Sequence, residues 1–212
     1  MLYASYEMKK KGIKISPRFH KSDWGNLNLK GKTSDWIKAV EIFDDRMKGR
    51  FFEQIQLLEQ NPNRDVGIFA GFAIMSLDCL LIETIEQFIN GRLRTGQGMD
   101  EKSFFDFFQR SDKLKSFFNN QTKATVFYQQ IRCGLLHQAQ TKGKSIIHIR
   151  EKPMLEWIDN ENPRNGLKIQ RRKFHEEVLR IYENYCEQLR NERNMNLKGK
   201  FKRKMESIIN QK

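Results

Sequence analysis

The chain has 212 residues, enough for one sizeable domain or a domain with extensions. Its 39 Lys and Arg outweigh 26 Asp and Glu, giving a formal charge of +13, and such a balance favours a polyanion: RNA, DNA or an anionic membrane surface. Three widely spaced cysteines, Cys79, Cys133 and Cys186, form no CxxC or Cys/His cluster, which argues against structural zinc or a disulfide framework and for a reducing cytoplasm.

In chain order, residues 1–32 are basic and poorly patterned, with Lys9-Lys10-Lys11, and read as an extended N-terminal arm or a partly ordered lead-in. The start Met1-Leu2-Tyr3 lacks the apolar core of a signal peptide. From Ser34, a candidate N-cap, the positions Trp36, Val40, Phe43, Met47, Phe51, Ile55 and Leu58 recur at intervals of three and four. That stripe predicts a long amphipathic helix stopped at Asn61-Pro62. Asp65 is placed to cap a second helix running to Asn90-Gly91. Its first half, from Ile68 to Leu77, is apolar nearly all round, which predicts burial on several sides. Asp78, Glu83 and Glu86 interrupt the stretch Val66 to Ile89, so it reads as a core helix and not a membrane span.

After a glycine-rich loop over 91–98, Asp100 opens a Phe-rich segment containing Phe104, Phe105, Phe107, Phe108, Phe117 and Phe118. One broken or two short helices are expected, packed as core; a platform for stacked bases is the alternative. Residues 121–137 form the next predicted helix, with Val126, Phe127, Ile131 and Leu135 on its apolar side. Ser145 to Arg150 and Leu167 to Gln170 are strand-like and flank the turn signal Asn162-Pro163-Arg164-Asn165-Gly166, which predicts a small antiparallel hairpin. Phe174, Val178, Ile181, Tyr185 and Leu189 mark another helix without a clear N-cap. The last segment carries Lys198, Lys200, Lys202, Arg203 and Lys204, candidate RNA-binding residues on a frayed basic tail or a short cationic helix. The fold expected is all-α: a four- to five-helix bundle over 33–193 with a small β-hairpin appendage, an arm at 1–32 and a tail at 194–212.

Chemistry concentrates in Arg132-Cys133-Gly134-Leu135-Leu136-His137. Arginine stays protonated and forks around phosphate oxygens. Histidine exchanges a proton near neutral pH. Together they suit phosphodiester cleavage. Five positions on a straight helix set the two side chains about 140° apart. Either Gly134 lets the helix bend, or two subunits pair along it and pool their residues in one cleft. Glu83 or Glu86 is available to orient the Arg132 guanidinium. The plainer alternative is a surface arginine in an ion pair and a histidine at a helix C-terminus. His20, His148 and His175 have no comparable partners in the sequence.

The stretch Ile131 to Ala139 resembles the R-x4-6-H ribonuclease motif of HEPN-domain proteins, which stands at the end of a helix in a four- or five-helix bundle. The resemblance spans roughly 34 to 190. It implies a metal-independent endoribonuclease with no cofactor, often a homodimer with a composite site, from a toxin–antitoxin, antiphage or RNA-processing system. Arg132 and His137 are then the catalytic pair, and RNA and a possible antitoxin or regulatory protein the partners, with no membrane role. Cys133 departs from the Asn, Asp or His common after the arginine in active members. A non-catalytic RNA- or partner-binding module of the same kind is therefore the alternative. A third class, a regulatory helical protein whose basic tail meets membranes or acidic proteins, is separated from both by salt-sensitive RNA binding.

Overall fold

The computed structural model describes residues 12–31, 33–94, 96, 100–191 and 193–210. Its secondary structure is predominantly helical, with one small three-stranded sheet. Among the described residues no helix is long and apolar enough to cross a membrane.

After the short α1 (Lys21–Gly25), the predicted rod begins at Thr33, one residue before Ser34. It runs as α2 (Thr33–Met47), a π turn over Lys48–Phe52 and α3 (Glu53–Glu59). Trp36, Val40, Phe43, Met47 and Ile55 are buried, as the stripe predicts, while Phe51 and Leu58 are partly so. The π turn widens the helix by one residue and turns Phe52 inward.

The second predicted helix is two. Asn63, and not Asp65, caps α4 (Arg64–Phe69) by accepting from the Asp65 amide, and the chain breaks at Ala70 before α5 (Gly71–Asn90). Ile74, Met75, Leu81, Ile82, Ile85 and Phe88 of α5 are buried. The helix ends on Gly91 at φ 64°, a left-handed cap that favours glycine. Burial of the apolar stretch from Ile68 to Leu77, across the end of α4 and the start of α5, is one-sided, since Ile68, Phe69 and Phe72 remain exposed. The apolar count alone did not reveal which side lacks a neighbour.

The Phe-rich segment forms α6 (Asp100–Phe108) and α7 (Asp112–Phe117). Phe104, Phe107, Phe108 and Phe118 are fully buried, and Phe108 stacks on Phe118 at 4.1 Å between ring centres. These rings are core and leave no platform for bases. Next come α8 (Gln121–Phe127), a second π turn over Tyr128–Arg132 and α9 (Cys133–Gln138).

The strands β1 (Ile146–His148), β2 (Leu155–Trp157) and β3 (Leu167–Gln170) correct the hairpin expectation. Their order is β1-β3-β2. The two strands read from the sequence, β1 and β3, pair in parallel; antiparallel pairing belongs to β2 and β3. The missed strand, β2, has only three residues and follows Pro153, too short for alternation to register. Its Trp157 stacks on Phe117 at 4.6 Å.

The helix α10 (Arg171–Arg190) has an N-cap after all: the Gln170 side chain accepts from the Lys173 amide. The last helix, α11 (Met195–Ile209), is part of the core. Its Phe201 meets Phe43 of α2 at 5.3 Å and Phe88 of α5 at 5.9 Å, and Phe43 also meets Tyr182 of α10. Each fully buried ring of this kind contributes roughly 1.5–3 kcal/mol. Residues 12–31 pack here too. Trp24 lies 6.0 Å from Phe201, Ser16 donates to Asp45 at 2.6 Å, and Arg46 donates to the Ile15 carbonyl at 2.6 Å. Residues 1–11, with the lysine triplet, lie outside the described residues.

Candidate active site

The motif helix is positioned from both ends. Asn120 caps α8 by accepting from the Lys123 amide at 3.0 Å. The other end closes at Ala139, which takes a left-handed φ of 51° so that its amide and that of Gln140 can reach back to Leu135 and Gly134 carbonyls. Val126, Phe127, Ile131 and Leu135 are buried, as expected.

Gly134 serves a different purpose from the bend considered above. The chain folds back against it, and a Cβ there would lie 2.5 Å from the Gln140 carbonyl oxygen and 3.2 Å from the Lys142 amide nitrogen. Lys142 then donates to the Gln130 carbonyl at 2.8 Å. Glycine admits this close approach of two backbones.

Arg132 is held on the other side of the helix. Its Nε donates to Glu83 Oε1 of α5 at 2.8 Å, and each of the two side chains is 18% exposed. Its guanidinium lies 5.2 Å from the centre of the Tyr128 ring. The Tyr128 hydroxyl donates to Asp100 at 3.3 Å. A chain of contacts from Asp100 to Glu83 therefore fixes the cation between α5 and the motif helix. Burial opposes the charge on Arg132, but hydrogen bonding and attraction to Glu83 outweigh it and raise its pKa. Burial, then the neighbouring Cys133, raises that of Tyr128. Glu86, the other carboxylate considered for Arg132, is buried and pairs with Arg110.

Arg132 is tied to Glu83 through Nε and also interacts with the Cys133 side chain, and the exposed part of its guanidinium is open to an anion. His137 is exposed and has no hydrogen-bond or ion-pair partner among the described residues. Five positions of helical backbone separate it from Arg132, which sends the two side chains in diverging directions. Exposed Leu80 stands one turn before Glu83 on α5, and exposed Leu136 one turn after Arg132 on α9. The sequence reading missed Tyr128. Its signal was available: it sits four residues before Arg132, where aromatic and cation share a helix face.

The five C-terminal cations are mostly engaged within the chain, on the cationic helix that is one of the two expectations and not on a frayed tail. Lys198 is buried, with its ammonium 4.9 Å from the Trp36 ring centre. Buried Lys204 donates to Gln87 at 2.7 Å and to the Leu93 carbonyl at 2.6 Å, and burial lowers its pKa. Arg203 donates to the Gly91 carbonyl, closing the end of α5. Lys200 packs beside Gly91, and Lys202 reaches Glu206 at 3.6 Å. The apolar spacing of Leu197, Phe201 and Met205 betrayed a packed helix beneath the charge.

His175 also has a partner that the sequence concealed: Asp78, 97 positions earlier, whose Oδ1 lies 2.7 Å from its Nδ1. Asp78 is fully buried and its Oδ2 is unpaired. Burial raises the Asp78 pKa. It also opposes charge on His175, whose pKa is nonetheless raised by Asp78. Among the described residues no three His, Cys, Asp or Glu side chains gather as a metal-ion cluster.

No family model, curated protein or solved structure matches this chain.

Proposed function

We propose that this protein is a metal-independent endoribonuclease of the HEPN type, built as a four- to five-helix bundle that works as a cytoplasmic homodimer. The supporting observation is the pairing of a fixed arginine with an exposed histidine on one helix. Arg132 is anchored to Glu83 through Nε while part of its guanidinium stays exposed for phosphate oxygens, and His137 meets solvent.

RNA supplies its own nucleophile. The 2′-hydroxyl attacks the adjacent phosphorus, and the P–O5′ bond breaks. His137 takes the hydroxyl proton or returns one to the leaving 5′-oxygen, and Arg132 stabilises the charge that grows on the equatorial oxygens. The products are a 2′,3′-cyclic phosphate and a 5′-hydroxyl. Glu83 and Tyr128 act through Arg132, as positioning residues.

The homodimer follows from the divergence of Arg132 and His137 within one chain. A two-fold pairing would let Arg132 of one copy face His137 of its partner, and exposed Leu80 and Leu136 beside the Arg132–Glu83 pair supply apolar contact. An antitoxin or similar inhibitor would act by covering this face. Cys133 favours a second reading, a binding module without catalysis, because a thiol is a weak acceptor at a position where active relatives of the proposed type carry a strong hydrogen-bonding group.

The two readings separate on a His137→Ala variant. The ribonuclease reading expects loss of cleavage with RNA binding retained. Wild-type protein that binds RNA in a salt-sensitive way and never cuts it supports the module. Light scattering that finds only monomer at micromolar concentration, with and without RNA, rejects the dimer.

A further inference from the structure

We propose that β1 is an open docking edge that takes up an extended segment of a partner protein, one alternating apolar with acidic residues, by strand addition. Among the described residues β1 pairs on one side only, with β3. Its other edge presents unpaired backbone groups, and no proline interrupts Ile146 to Ile149.

The two faces of this edge differ in chemistry. Strand side chains alternate, so Ile147 faces one way while Ile146 and His148 face the other. Ile147 belongs to the inward row with buried Ile169 and Leu155. On that side lies a groove of about 390 Å³ formed with the end of α4 and the start of α5, its apolar lining provided by Ile68, Phe69, Phe72, Ile147 and Ile149, with Arg150 and Arg171 on its polar side. Phe69 is 79% exposed, the most exposed large hydrophobic side chain among the described residues, and Ile149 is 44% exposed. Such side chains beside an unpaired edge mark an interaction surface.

On the outward side a cleft of about 510 Å³ is lined by Arg150, Lys152 and Lys168 against one carboxylate, Glu156. Lys168 already pairs with Glu156, while Arg150 has no carboxylate partner among the described residues. A strand added to β1 would turn alternate side chains into the apolar groove and the others toward these cations. Its pattern is therefore apolar–acidic, and basic or uniformly polar segments are disfavoured. None of these residues belongs to the Arg132–His137 site, so the inference stands whether or not the chain cleaves RNA.

The test uses the whole protein and a labelled, end-blocked octapeptide of alternating Val and Asp, followed by fluorescence anisotropy. Saturable binding is expected, weakened about tenfold by N-methylation of alternate peptide amides, which removes pairing donors and keeps the side chains. A Val–Lys peptide should bind at least about tenfold more weakly. Phe69→Ser should weaken binding without loss of folding, because the ring is exposed; Lys152→Glu should do so without touching the groove. Three results would overturn the proposal: no saturation at about millimolar peptide, equal binding of the N-methylated peptide, or equal binding of the Val–Lys peptide. A Phe69→Ser variant that turns a dimer into a monomer yet binds the peptide normally would reassign the groove to contact between copies and equally overturn it.

Discussion

Gly134 and Gly199 are both helical glycines, and replacing each by alanine should have opposite effects. At Gly199 on α11 an added Cβ meets nothing within 4 Å. Alanine there recovers helix propensity and restricts the unfolded chain, a gain of about 0.5–1 kcal/mol. At Gly134 the same propensity gain is available, but the new Cβ would stand 2.5 Å from the Gln140 carbonyl oxygen and 3.2 Å from the Lys142 nitrogen. Both are backbone atoms, so no rotamer can relieve the contact; the returning loop must move by about half an ångström or more. Overpacking of this kind costs about 1–3 kcal/mol. After the helical gain, a net loss of about 1–2 kcal/mol remains. In a chain of this size about 1 kcal/mol shifts Tm by 2–4 °C. Thermal unfolding followed by circular dichroism should thus show Gly199→Ala rising by about 1–4 °C and Gly134→Ala falling by about 2–8 °C. An unchanged or raised Tm for Gly134→Ala would refute the claim that glycine is there for close backbone approach, and would restore the flexible-bend reading.

Other consequences concern the ion pairs and the last helix. Glu83→Gln should reduce RNA cleavage on the order of 10²-fold by loosening Arg132 while changing stability by less than about 1 kcal/mol, as for a partly exposed pair; a stability loss without a rate loss would make the pair purely structural. The pKa of His175 is raised above its ordinary 6.5, so the native state holds that proton more tightly than the unfolded chain. Its stabilisation is complete below about pH 6.5 and is lost as pH rises through the raised native value. Denaturant midpoints should therefore fall as pH rises above about 6.5, and His175→Gln should flatten that slope; an unchanged slope in the variant assigns it elsewhere. Phe201→Ala should cost about 3–5 kcal/mol in urea unfolding, because the ring sits among rings of α1, α2 and α5; a cost under about 1 kcal/mol would return α11 to the status of a tail.

Helices were legible wherever an apolar stripe ran long enough. Trp36 to Ile55 and Phe174 to Leu189 could be placed on their buried faces from spacing alone. What escaped were features set by contacts between distant segments. The parallel pairing of β1 with β3 goes with the intervening strand β2, whose Leu155-Glu156-Trp157 alternate but are too few to stand out. The Asp78–His175 pair joins two helices 97 positions apart, and no local rule brings them together. The C-terminal lysines misled because charge was weighed before the Leu197, Phe201 and Met205 spacing that buries the helix beneath them. At the candidate site, Glu83 was one of two carboxylates open to Arg132 in the sequence, and Gly134 was noticed for a bend and not for the close backbone approach it makes.

The most direct test of the central claim is to incubate the purified protein with mixed RNA in EDTA and map the cut ends. The account predicts cleavage that leaves 2′,3′-cyclic phosphate or 3′-phosphate ends beside 5′-hydroxyls. His137→Ala should slow it on the order of 10²–10⁴-fold and Arg132→Ala on the order of 10²–10³-fold, and the double variant should fall short of the product of the two because both groups serve one phosphate. Ends bearing 5′-phosphate, an absolute need for Mg²⁺, cleavage of all-DNA substrates, or full activity without His137 would contradict it.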